Sequence, residues 1–148
     1  MIVVTSGGFD PIHPGHIEYL RHAQQDWRNN KHICIVNSDA FLDRKKGYHV
    51  QDWVSRMTIV QAIEYVDEVI PAIDTDDTVC ATLAWIRNLY PDEEITFVKG
   101  GDRKANEIPE AEICEKLDIM ISDTAGEKIT SSQTIIRSLY ENYTVCKG

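Results

Sequence analysis

The stretch "GGFDPIHPGHIEYL", residues 7–20, sets His13 and His16 three positions apart, behind Gly7 and Gly8 and on either side of Pro14. Pro14 suits the first position of a helix, where its missing N–H would lack a partner in any case and its fixed φ is already helical. His13 then stands at the helix entrance and His16 in the first turn, where unpaired N–H groups and the positive end of the helix dipole attract anions. Gly7 and Gly8 remove side chains just ahead of that point, so backbone N–H groups can come close to a ligand. The chemistry this favours is the holding of a phosphate. Two plainer readings compete. Gly-Pro-His loops are ordinary turns, and paired histidines can ligate zinc, although this spacing is shorter than in zinc fingers and no cysteine or third histidine is near in sequence.

Several other residues carry charge or hydroxyls where loops are expected. Arg44-Lys45-Lys46-Gly47 is a basic run in an acidic chain, open to reading as a solvated surface or as steering charge. Arg56 in "VSRMTIV" is positioned for a helix-surface ion pair with Asp52. Asn37-Ser38-Asp39 follows an apolar run, and Asp39 fits a turn or a contact to ligand hydroxyls. Gly100 in "FVKGGD" lets backbone pass close to a flat ring or forms a plain turn. Ser131 and Ser132 fit the cap of a last helix, which also gathers N–H groups and hydroxyls for an anion.

The elements that must position these residues alternate along the chain. β-branched runs at 2–5, 32–37, 67–72, 95–100 and 117–122 predict five buried strands. Ile17, Leu20 and Trp27 mark one helical stripe, Trp53, Met57, Val60 and Ile63 a second, and Val79, Leu83, Ile86 and Tyr90 a third, with a closing helix over 131–142. Such alternation predicts an α/β fold, a Rossmann-like three-layer sandwich around a five-stranded parallel sheet. Ligands in that architecture sit beyond the carboxyl ends of the strands, and the His13–His16 loop follows the first strand. Residues 38–51 read as the longest irregular piece, in the range where loops are often functional.

Composition bounds the rest. With 148 residues and 43% hydrophobic content, one domain spanning 1–148 is expected. A net charge of −9 disfavours a nucleic-acid track, which needs many phosphate contacts from Lys and Arg. Cys34, Cys80, Cys114 and Cys146 are widely spaced and read as reduced thiols. The opening "MIVVTSGG" is already strand and turn rather than a leader, and no apolar run reaches membrane-span length. A cytoplasmic protein without membrane contact is expected.

Taken together, "GGFDPIHPGH", "VNSDAFLDRKKG", "SRMTIVQAIEYVDEVIPA", "FVKGGD" and "SSQTIIRSL" resemble, in order and spacing, the blocks of the cytidylyltransferase-like nucleotidyltransferases with their H-x-G-H signature. The resemblance implies transfer of a nucleotidyl group by in-line attack at an α-phosphorus, with His13, His16 and Lys46 as catalytic residues. Lys46 would offset phosphate charge. It implies nucleotide binding at Thr5, Gly7, Gly8, Phe9, Asp10, Gly100, Asp102, Ser131 and Ser132, and substrate-phosphate contacts at Arg56 and Asp39, with Arg137 a further candidate. Asp10 also fits a cap, a histidine-orienting group or a helper to magnesium. Mg2+ is expected to accompany the triphosphate without a dedicated protein cage.

Two branches of the family contribute features. "KKGYHV" and "IEYVDEVIPA" resemble glycerol-3-phosphate cytidylyltransferases, whereas "FVKGGD" resembles heptose-phosphate adenylyltransferases. The cytidylyl branch carries R-T-E-G-I-S-T-T before its last helix; this chain has "DTAGEKITSSQ", without the cytosine-reading arginine and with Gln133 in place of a hydroxyl residue. ATP is therefore favoured over CTP, and a sugar or polyol phosphate is the expected acceptor. A nucleotide-binding module without turnover is the alternative from another class. The family also allows a homodimer, with Trp27, Trp53 and Trp85 open to core or interface roles.

Overall fold

A computed structural model describes residues 1–26, 30–100, 108–122 and 132–147. The strands are β1 (Ile2–Gly7), β2 (Lys31–Val36), β3 (Glu68–Pro71), β4 (Ile95–Val98) and β5 (Ile119–Ser122). They form one sheet in the order β3-β2-β1-β4-β5, and every pairing is parallel. The helices are α1 (Pro14–Asp26), α2 (Asp39–Lys46), α3 (Trp53–Gln61), α4 (Cys80–Leu89), α5 (Ala111–Lys116) and α6 (Ser132–Lys147). Successive strand residues point to opposite faces, which divides the core in two. Ile2, Val4, Ile33, Ile35 and Phe97 pack with Leu83 and Ile86 of α4 and Cys114 of α5. On the other face Cys34 and Val36 meet Leu20 of α1 and Val60 of α3, and Val3 meets Ala23. This is the expected three-layer α/β sandwich.

Two expectations change. Residues 38–51 are not wholly irregular, because Asp39–Lys46 form α2. Ser38 caps it by accepting from the Phe41 N–H, and Gly47, at φ 87°, ends it by donating to the Asp43 carbonyl. With only the adjacent pair Phe41 and Leu42 buried, this two-turn helix shows no apolar stripe; its caps were the legible signal. The short helix α5 likewise has no strong periodicity. Trp27 lies outside the described residues, Trp53 is half-buried with its indole N–H on the Val36 carbonyl at 3.0 Å, and Trp85 is exposed. Among the described residues no helix is long and apolar enough to cross a membrane.

The strand order reverses direction at β1, leaving a crevice between the carboxyl ends of β1 and β4. Their paired register stops at Val4 and Phe97. Just beyond it the Tyr19 hydroxyl, carried by α1, donates to the Val98 carbonyl and accepts from the Ser6 N–H at 3.3 Å. A side chain thus replaces the next ladder bond, satisfies both backbone groups and holds the fork open.

Candidate active site

The loop after β1 is shaped by its own residues. Phe9 takes φ 53°, in the left-handed region that a bulky residue rarely enters, and its ring is buried. The ring folds under Gly7 and meets His16 edge-on, with centroids 5.0 Å apart. A Cβ at Gly8 would lie 2.8 Å from Leu42 Cδ2, so the Leu42 side chain of α2 packs directly on this glycine. His13 occupies the N-cap of α1: its carbonyl accepts from Ile17, and its Nδ1 accepts from the Gly15 N–H at 3.0 Å. The His13 N–H in turn donates to His16 Nδ1 at 3.2 Å.

These bonds fix the tautomers. A ring nitrogen that accepts carries no hydrogen, so each imidazole keeps a proton on Nε2. The two rings stack with centroids 3.7 Å apart and 23° between planes. Burial, then His13, then Lys46 hold the His16 pKa down to about 3, so the ring is neutral at physiological pH and donates from Nε2.

Lys46, in the last turn of α2, reaches the same place. Its Nζ donates to the Asp10 carbonyl at 3.0 Å and lies 3.5 Å from Asp10 Oδ2. The Asp10 carboxylate is buried and accepts from the Val50 and Gln51 N–H groups, each at 2.7 Å. Asp10 therefore acts as a latch, a role its sequence context did not suggest: it ties the segment after α2 to the signature loop and positions Lys46.

Arg56 and Asp39 require correction as substrate-phosphate contacts. The Arg56 guanidinium is fully buried. It donates to the carbonyls of Gln51 (2.9 Å), Gly8 (2.8 Å) and Asn37 (2.7 Å), and to Asp39 Oδ1 (2.7 Å). Its rigid fork of donors is spent on four chain segments. Thr5 is corrected in the same way, since its buried hydroxyl bonds His32 Nε2 at 2.9 Å inside the core. His32 Nδ1 lies 2.6 Å from the Tyr65 carbonyl, which can only accept, so Nδ1 carries the proton and Thr5 donates to Nε2.

Burial also lowers the His32 pKa. For both His16 and His32 the folded-state pKa lies below the ordinary 6.5, so between those values the unfolded chain binds more protons. Their contribution to stability is complete above pH 6.5 and is lost as pH falls, for His16 down to about 3. Urea titrations from pH 7.5 to 4 should show stability falling by about 1 kcal/mol per pH unit or more below the ordinary histidine pKa. A flat profile would contradict the neutral, desolvated state of these rings.

The ends of β1, β2 and β4 enclose a cavity of about 550 Å³. Gly7, Gly8, Phe9, Asp10, His16 and Lys46, all candidates from the sequence, line it. His13 is buried against His16. Gly100 follows β4 but packs on the Tyr19 ring, 3.0 Å from where a Cβ would stand. Arg137 pairs with Glu141 on the exposed surface of α6. Asp102 and Ser131 lie outside the described residues, and Ser132 opens α6. Sequence reasoning passed over Lys99 and Glu110, which also line the cavity. Lys99 directly follows β4, and its place at a strand's carboxyl end was the available signal; Glu110 had none.

A cavity lined by lysines and carboxylates thus lies before a stacked histidine pair on the first helix of a parallel sheet. The cytidylyltransferase-like family model covers residues 4–138. The chain belongs to the cytidylyltransferase-like family. It is 40% identical over 109 residues to the bifunctional protein HldE of Edwardsiella ictaluri, covering 72% of this chain and 21% of that protein. Against HldE of Yersinia pestis (strain Pestoides F) it is 38% identical over 113 residues, 75% of this chain and 22% of the relative. The chain thus matches about a fifth of the length of these curated relatives. The crystal structure of the lipopolysaccharide core biosynthesis protein from Thermoplasma volcanium superposes with a TM-score of 0.64 at 20% identity. That match covers 89% of this chain and 98% of the other, and shows the shared fold.

Proposed function

We propose that this cytidylyltransferase-like chain is a nucleotidyltransferase that moves a nucleoside monophosphate from a triphosphate, ATP by preference, to the phosphate of a sugar or polyol phosphate. The observation that carries the reading is the stacked His13–His16 pair, with His16 neutral and each ring bearing a proton on Nε2, beside Lys46 at the edge of the cavity. A phosphate oxygen of the acceptor attacks the α-phosphorus and forms the new P–O bond; the bond to the β-phosphate oxygen breaks, and pyrophosphate leaves with its electron pair. Imidazole N–H groups held before the reaction begins stabilise charge on the equatorial oxygens, which is where this class of displacement gains most.

No general base is needed, because a phosphomonoester has its second pKa near ~6 and is largely dianionic at neutral pH. Lys46 and Lys99 supply positive charge to the triphosphate and the acceptor phosphate. The Asp10 carboxylate is committed to backbone N–H groups, and we place Mg2+ on the triphosphate itself, where it neutralises phosphate charge. The "FVKGGD" block, which resembles heptose-phosphate adenylyltransferases, supports ATP and a sugar phosphate, and the missing arginine before α6 weighs against CTP.

The test is a matrix of the four common ribonucleoside triphosphates against sugar and polyol phosphates, scored by pyrophosphate formation with Mg2+. ATP with a sugar phosphate should stand out. Release with CTP and glycerol phosphate would move the assignment to the cytidylyl branch, and no release from any pair would leave a nucleotide-binding module.

A further inference from the structure

Glu110 and Asn37 line the cavity, and one oxygen of each, Glu110 Oε2 and Asn37 Oδ1, is closed off from solvent with no hydrogen-bond partner among the described residues. Glu110 is 3% exposed and Asn37 8%. Neither position is accidental. Glu110 Oε1 accepts from the Val79 N–H at 3.2 Å, which pins the carboxylate to the entrance of α4. The Asn37 backbone is fixed on both sides, its N–H on the Gly7 carbonyl at 2.9 Å and its carbonyl under Arg56 at 2.7 Å. A buried acceptor left unmatched costs free energy, and such groups in a native protein call for an explanation.

The surroundings narrow what would satisfy them. A carboxylate oxygen and an amide oxygen take hydrogen-bond donors. The same cavity also carries Lys45, Lys46 and Lys99, which attract a phosphate, beside Asp10 and Asp77, and among the described residues no cluster of three or more His, Cys, Asp or Glu side chains is placed to hold a metal ion. A ligand that presents phosphate at one end and neutral O–H donors at the other meets both requirements.

We propose that, with a turn of each side chain toward the cavity on binding, Glu110 Oε2 and Asn37 Oδ1 accept hydrogen bonds from hydroxyls of the phosphorylated acceptor, and so read its polyol part while the lysines hold its phosphate. The assignment rests on the transferase reading above and adds to it the groups that tell a hydroxylated phosphomonoester from a plain one. A site built to pair hydroxyls rejects an analogue lacking them, because its own buried acceptors then stay unpaired.

The experiment measures binding, not turnover, by calorimetry on the whole chain. Glycerol, ribose, mannose and sedoheptulose phosphates are compared with n-propyl phosphate, which keeps the phosphate and lacks every hydroxyl. The parent should bind at least one hydroxylated probe about tenfold or more tightly than n-propyl phosphate. Glu110→Gln keeps an oxygen for Val79 and turns an amide N–H2 toward the cavity. It should bring that ratio to within about twofold while n-propyl phosphate binds as before. Asn37→Ala should reduce the ratio in part. A parent that does not prefer any hydroxylated probe, or a Glu110→Gln variant that keeps the full ratio, would overturn the proposal. A parent that shows the preference yet releases no pyrophosphate would sink the transfer reading and leave this assignment standing.

Discussion

His16→Ala is expected to lower turnover by about a hundredfold or more, the effect of removing one donor aimed at charge in a transition state. The neutral ring lines the cavity with its proton on Nε2, and it stands against Phe9 and His13 rather than supporting the sheet. The fold should therefore survive, as circular dichroism and cooperative unfolding would show. Stability should move in the opposite sense at low pH. The parent loses stability below pH 6.5 because the buried His16 resists protonation, so the variant's profile should be flatter there. A variant with full turnover would remove the donor role, and one as acid-sensitive as the parent would remove the desolvated state. The two readouts fail independently.

Arg56→Ala should be the most destabilising single change at the site, by about 3 to 5 kcal/mol, the range seen when a buried charged partner is deleted. The guanidinium joins the signature loop at Gly8, the end of β2 at Asn37, the segment before α3 at Gln51 and the first turn of α2 at Asp39. Its loss leaves the carbonyls of Gly8, Asn37 and Gln51 and the Asp39 carboxylate without this donor. Arg56→Lys is the sharper probe. It keeps the charge but cannot span those acceptors with one ammonium, so chemical denaturation should still show a loss of more than about 1 kcal/mol. If Arg56 served substrate phosphate, the lysine variant would unfold like the parent and change only KM.

What the chain disclosed in advance follows from which signals are local. Strand cores such as "IVVT" and "HICIVN" are continuous β-branched runs and were readable, as were the parallel sheet and the loop after β1. His13 and His16 were readable because their spacing lies within one turn and Pro14 marks its start. Helix α2 was hidden, since its only buried residues are adjacent rather than a turn apart. Apart from Gln51, five positions before Arg56, the partners of Arg56, Asp39, Thr5 and Asp10 were not legible, because they lie 17 or more positions away through the sheet or the loops. A charged residue near a phosphate-binding loop looks the same in sequence whether it faces the ligand or holds the loop together. Here Lys46 faces the cavity from its anchor on Asp10, and Arg56 is buried behind it.

The account stands on imidazole N–H groups meeting the reacting phosphate, and the most direct measurement is a crystal structure of the chain with Mg2+ and a non-reacting α,β-methylene triphosphate. An α-phosphate oxygen should lie about 3 Å from His16 Nε2, with the stacked pair in place. Phosphates seated away from His16, or a His16 ring turned so that Nδ1 faces the nucleotide, would contradict it.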